Sequence, residues 1–273
     1  MGFDSLQCVA IRASFAAIIL FVYIIASDRK KLCIHAKDLV YFAGMGIGSI
    51  VFFNYCYFEA IEVIGGAAIP ALLLYTAPIF VVVLSAVFFK EKITFRKMTA
   101  LLITFIGLGF VTGAFTGGEK ISVLALMLGL GSGLGYALYS IFGKLVVDKY
   151  DAVTITFYTF FIAAVCVVPL SGAAGKVTAL CSVQGILAAC GLAFFSTVLP
   201  FLLYTKGLNG VEAGKASILA TVEPFVAAIV GAVVFKEKFT VSKMIGMLLI
   251  IFAIIFLNIG ASKEVSEQEG IRK

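Results

Sequence analysis

The chain is 273 residues long, 62% of them hydrophobic and only 13% charged, with a mean hydropathy of +1.13. A soluble domain is closer to half apolar and a quarter charged, and this chain has too few polar residues to cover such an apolar content, so a water-soluble globular fold is excluded and the bilayer is the solvent. The formal charge of +6 does not indicate a nucleic-acid binder, because the lysines and arginines lie in short connectors between apolar runs, where they set membrane orientation.

In chain order, runs long enough to cross a hydrocarbon core as helices fall at about 6–26, 39–60, 66–88, 98–115, 121–145, 153–170, 183–205, 213–235 and 244–260. They predict an all-α integral membrane protein of about nine transmembrane helices with no separate soluble domain. The first run has no basic residue ahead of it, carries Arg12 inside it and ends in Asp28-Arg29-Lys30-Lys31, which reads as a span and not as a cleaved signal. Placing the connector from Arg29 to Lys37 in the cytoplasm puts Lys90, Lys92, Arg96, Lys97, Lys144, Lys149, Lys206, Lys215 and the basic tail on the same side. About 15 basic residues then lie inside and about five outside, which makes the C-terminus cytoplasmic.

The cysteines Cys8, Cys33, Cys56, Cys166, Cys181 and Cys190 have no metal-knuckle or redox spacing, and His35 stands in a basic connector far from them in sequence. No metal and no cofactor are expected. A membrane enzyme would need acid–base clusters, yet all five aspartates are in connectors or at the N-terminus. No Gly-rich loop ending in Lys-Ser/Thr is present, so direct ATP drive has no support.

The most informative feature is an internal repeat. The stretch from Pro78 through Phe89-Lys90-Glu91-Lys92-Ile93-Thr94 to Lys97-Met98 recurs from Pro224 through Phe235-Lys236-Glu237-Lys238-Phe239-Thr240 to Lys243-Met244, identical at ten of 21 positions and offset by 146 residues. The same offset, give or take one residue, pairs Arg12 with Tyr158, Ser49 with Ser196 and Tyr57 with Tyr204. Two repeats follow: residues 1–116 with four helices and 121–260 with five, then a cytoplasmic tail, 261–273. The first helix of the first repeat is expected to be missing. An odd number of spans per repeat inverts the second, and inverted repeats around a midplane site mark secondary transporters.

A proline-containing helix, then Phe-Lys-Glu-Lys-x-Thr, then a further apolar span, twice over, resembles the EamA-type transporters of the drug/metabolite transporter superfamily. Glu223-Pro224 is similar to that family's second-repeat motif, and Arg12 to the arginine near the start of its second helix. The resemblance covers about residues 6–260. It implies ten helices, both ends cytoplasmic, and a central cavity worked by alternating access.

Glu223 is the foremost candidate residue. It stands near mid-bilayer, where a charge costs on the order of 2.5–3.5 kcal/mol on insertion scales. It either binds a cationic group or exchanges a proton, or it is a structural carboxyl beside the Pro224 break. Arg12 lies about 9 Å below the outer boundary at 1.5 Å per residue, to bind an anionic group, pair with Glu223 or snorkel to headgroups. Tyr75, Tyr136, Tyr139, Ser140, Tyr158 and Asn54 are the polar residues expected to line a cavity, with Tyr136, Tyr139 and Ser140 on one helix face. Pro70, Pro78, Pro200 and Pro224 are expected helix breaks.

The expected function is a secondary transporter of a small metabolite, an amino acid or similar compound moved outward, in the cell membrane. The alternative is a non-transporting scaffold or transporter relic. The expected partners are lipid and a small-molecule substrate, with proton coupling and homodimerisation left open.

Overall fold

A computed structural model of the chain describes residues 3–114, 122–172, 182–234 and 240–271, the stretch beyond 257 in its backbone alone. Cys181 and the second Lys236-Glu237-Lys238 motif lie outside the described residues. No strand occurs among the described residues. Among the described residues, eight helical segments are long and apolar enough to cross a membrane: Ser5–Ser27, Ala36–Ile64, Ala68–Phe89, Phe95–Thr112, Val123–Val146, Ala152–Ser171, Val183–Asn209 and Ala213–Val234. A shorter apolar helix, Val241–Leu257, follows. The all-α membrane architecture and the positions of the spans match expectation.

Several segments are interrupted. The first span is α1 (Ser5–Ser27), started by an N-terminal box in which Asp4 Oδ1 accepts the Gln7 amide at 2.8 Å and Gln7 Oε1 accepts the Asp4 amide at 3.2 Å. The second is α2 (Leu39–Ala43), a π-helical segment (Gly44–Val51) and α3 (Phe52–Ile64). The third breaks into α4 (Ala68–Leu74) and α5 (Ala77–Phe89), followed by α6 (Phe95–Thr112), α7 (Val123–Val146) and α8 (Ala152–Ser171). Then come α9 (Val183–Ala193), a second π-helical segment (Phe194–Val198) and α10 (Leu199–Asn209). A further broken span, α11 (Ala213–Ala220) and α12 (Val222–Val234), precedes α13 (Val241–Ile271).

The chain forms two compact units, one of residues 1–59 and 134–211, the other of residues 60–133 and 212–273. Each unit therefore draws segments from both halves of the sequence.

In the first unit α1 packs along α8, while α8 also meets the first π segment and α1 meets α9. Ala10, Ala13 and Ala16 let α1 approach closely, and Phe42, Met45, Ile155, Phe160 and Val198 complete the core. Gly46 is required there: a Cβ on it would lie 2.8 Å from the Thr159 carbonyl.

In the second unit α6 packs along α13 and α5 against α11. The α6–α13 contact closes on Gly107 and Gly246, where a Cβ on Gly246 would stand 2.4 Å from the Gly107 carbonyl. The repeated Thr-x-x-Lys has a local cause. Thr94 Oγ1 accepts the Lys97 amide at 3.2 Å to start α6, and Thr240 Oγ1 accepts the Lys243 amide at 3.3 Å to start α13.

Candidate functional site

The two broken spans lie in the second unit and share one construction. Thr76 Oγ1 donates to the Leu73 carbonyl at 2.6 Å as α4 ends, and Thr221 Oγ1 donates to the Ile218 carbonyl at 2.6 Å as α11 ends. Each threonine hydroxyl adds a second hydrogen bond to a carbonyl that already accepts the same residue's backbone N–H at 3.1 Å, which closes the last turn tightly. Pro78 and Pro224 then fall in the first turns of α5 and α12, where a missing N–H costs nothing. Pro70 likewise stands in the first turn of α4, and Pro200 starts α10 directly after the second π segment. All four prolines expected as breaks thus open a helix.

Glu223 occupies the first turn of α12 and is solvent- or lipid-accessible within its unit. A carboxylate there faces the partial positive charge of the α12 amino end, which lowers the cost of its charge inside a membrane span. Tyr75 caps α4 at the other break. It packs with Phe225 on a cluster of Leu108, Ala228, Met247 and Ile250, so both breaks flank the α6–α13 contact.

The remaining candidates fall in the first unit. Arg12 Nη2 donates to Asn54 Oδ1 at 3.3 Å, and Asn54 Nδ2 donates to the Ile50 carbonyl of the first π segment at 2.7 Å. Asn54 is buried and Arg12 half-buried. Tyr136 meets Phe53 edge-on, ring centroids 5.5 Å apart. Tyr139 shares a 2.6 Å hydrogen bond with Thr205, and Ser140 a 2.7 Å one with Tyr204. Tyr158 donates to the Leu32 carbonyl at 2.7 Å, tying α8 to the connector after α1. The hydroxyls of Tyr139, Ser140 and Tyr158 are thus all engaged inside the unit.

Sequence reasoning missed three polar clusters. Lys149 pairs with Asp38 at 2.9 Å, and Tyr150 donates to the same carboxylate at 2.8 Å. Lys31 pairs with Asp151 at 2.6 Å. These contacts tie the connector after α1 to the one before α8. The hydrogen bond from Lys31 holds the Asp151 carboxyl below its ordinary range, and the bond to Asp38 raises the Lys149 ammonium. The third cluster joins Glu91, Lys97 and Glu212 beside α11. All three join residues far apart in the chain, and no spacing rule connects such residues.

The family model for the EamA-like transporter family matches residues 2–113 and 123–259. An uncharacterized transporter of Archaeoglobus fulgidus is 31% identical over 188 residues, which is 69% of this chain and 66% of that protein. A second uncharacterized transporter of the same organism is 26% identical over 249 residues, 90% of this chain and 85% of that protein. The uncharacterized transporter YyaM of Bacillus subtilis is 25% identical over 264 residues, 93% of this chain and 84% of that protein. A protein of solved crystal structure shares the fold, with a TM-score of 0.74 over 94% of this chain and 89% of its own at 15% identity.

Proposed function

This chain belongs to the EamA-like transporter family, and on that premise we propose that it is a secondary transporter of a small metabolite, an amino acid or similar compound, exported by alternating access. The observation that carries this reading is the paired interruption of its helices. The π segments at Gly44–Val51 and Phe194–Val198 bracket the repeat partners Ser49 and Ser196, and the breaks at Thr76 and Thr221 each precede a repeat-equivalent proline. Irregular backbone in a membrane span is tolerated where it lines a cavity or is buried in protein, and discontinuous helices in matching halves are how many transporters build a midplane site. The sequence repeats, 1–116 and 121–260, would be inverted with respect to each other, in the plasma membrane with the C-terminus cytoplasmic. Glu223, at the amino end of a resumed helix, would be the central carboxyl, with Tyr75 at the matching break.

The test is flux in proteoliposomes. Purified full-length chain, reconstituted in liposomes loaded with a labelled mixture of amino acids, is expected to release one or a few of them faster than protein-free liposomes. It should also exchange them across the membrane when unlabelled substrate is present outside. No release above the protein-free rate for any amino acid would discard the amino-acid assignment. Release without exchange would argue against alternating access.

A further inference from the structure

The Arg12–Asn54 pair is incompletely used by the fold. Arg12 is the eighth residue of α1 (Ser5–Ser27), about 10 Å along the axis from its start at 1.5 Å per residue. A guanidinium presents five N–H donors. Among the described residues of its own unit the single hydrogen bond shown for Arg12 is the one to Asn54 Oδ1, at a long 3.3 Å, and no carboxylate among them forms an ion pair with it. A cation at that depth in an apolar span is expensive unless an anion or water meets it. Asn54 is held from behind: it is 3% exposed, and its amide is committed to the Ile50 carbonyl at 2.7 Å. Its Oδ1 therefore has a fixed position, and it aims the guanidinium while neutralising none of its charge. The acceptor carbonyl belongs to a π-helical segment, a backbone irregularity that recurs at functional sites.

We propose that Arg12, aimed by Asn54, is an oxyanion-binding subsite that takes a carboxylate or phosphate group by charge-assisted, fork-like hydrogen bonds. A planar guanidinium matches such a group in a way an ammonium does not. Two sources can supply the group: a soluble anionic substrate or the phosphate of an anionic lipid. Assigning it to a substrate rests on the transport reading, whereas the subsite itself does not.

The experiment measures thermal unfolding of the full chain in dodecyl maltoside by circular dichroism. The probes are sodium succinate, sodium phosphate, and phosphatidylglycerol against phosphatidylcholine, with sodium chloride matching the ionic strength. At least one oxyanion is expected to raise the unfolding midpoint of the wild type by about 3–5 °C at ten times its Kd. Arg12→Gln should abolish that rise, and Arg12→Lys should keep only part of it. Should Arg12→Gln fail to fold, Asn54→Asp serves instead: it sets a carboxylate against the guanidinium, and it should fold yet lose the response. A rise with succinate or phosphate assigns the subsite to a soluble anion, and one with phosphatidylglycerol alone assigns it to a lipid headgroup. No rise with any probe, or an equal rise in both variants, overturns the proposal. Absence of flux in proteoliposomes alongside an Arg12-dependent rise would defeat the transport reading and leave the subsite standing.

Discussion

The carboxylate of Glu91 accepts the backbone N–H of Ala213 at 2.8 Å and that of Gly214 at 3.2 Å, so a loop residue of the first repeat closes the amino end of α11. Lys90 makes this reach possible by taking the left-handed conformation (φ 57°) at the end of α5. Lys97 Nζ lies 3.7 Å from Glu91 and 2.7 Å from Glu212, and it donates to the Lys92 carbonyl at 3.1 Å. Glu91 and Lys97 are each only 8% exposed. The first Phe-Lys-Glu-Lys-x-Thr motif, Phe89–Thr94, is therefore a joint. Its first lysine turns the chain, its glutamate caps a distant helix, and its threonine starts the next one.

Glu91→Ala is accordingly expected to destabilise the protein by about 2–4 kcal/mol, since it strips two helix amides of their acceptor and removes one of the two carboxylates beside a nearly buried lysine. Glu212→Ala, whose side chain is 54% exposed, should cost about 1 kcal/mol or less, as exposed ion pairs do. Thermal unfolding in detergent compares the two. Equal losses would show that the buried carboxylate is not the principal clamp.

The α6–α13 contact makes a second prediction. Gly246→Ala places a methyl 2.4 Å from the Gly107 carbonyl, which cannot retreat as a flexible side chain would. Overpacking of this kind costs about 1–3 kcal/mol. Gly191→Ala is the control, because nothing lies within 4 Å of the added carbon, and it should leave the unfolding midpoint unchanged or slightly raised, alanine being the better helix former. A Gly246→Ala protein as stable as the control would mean that the two helices do not approach as described.

What the sequence could and could not disclose divides by distance along the chain. The apolar runs mark their own helices because each span satisfies its backbone internally, and Pro70, Pro78, Pro200 and Pro224 mark the breaks because each opens a helix, whereas Pro169 sits inside α8. The Thr94 and Thr240 caps are equally local, three residues from the amides they bind. The π segments have no such signature, since one extra residue in a turn leaves an all-apolar stretch looking the same. Arg12 and Asn54 were each visible as polar residues within spans, but their pairing across 42 residues was not. The same holds for Tyr139 with Thr205 and for Glu91 with Ala213, whose partners are chosen by packing.

Inversion of the repeats predicts opposite sidedness for equivalent positions. Phe95 and Val241, 146 residues apart, each open a helix after the repeated motif, and both are exposed, at 86% and 71%. Single cysteines at these sites, in a background with the native cysteines replaced, should be labelled by a membrane-impermeant maleimide from opposite sides: Val241→Cys from outside and Phe95→Cys only after permeabilisation. Labelling of both from one side would remove the inverted arrangement.

The last prediction concerns Glu223. It stands in the first turn of α12, immediately after the Thr221 break, in a span whose other described residues from Ala216 to Val234 carry no charge. If its carboxyl receives a cationic group or a proton, Glu223→Gln removes the charge while keeping the shape and a hydrogen-bonding end. Transport should then fall about 10- to 100-fold, the worth of one lost charge-assisted hydrogen bond, while the unfolding midpoint stays near that of the wild type. Flux by the wild type should change with pH, and the Gln variant should lose that dependence even where some exchange survives. Glu223→Leu separates this role from a structural one. A carboxyl that merely satisfies the amino end of α12 would tolerate Gln but not Leu, so its loss would appear as poor expression and a lowered midpoint, with transport by the Gln variant intact. Both variants belong in one vesicle assay normalised to reconstituted protein. Near-normal and still pH-dependent flux through Glu223→Gln would refute the functional assignment and leave Glu223 as a helix cap.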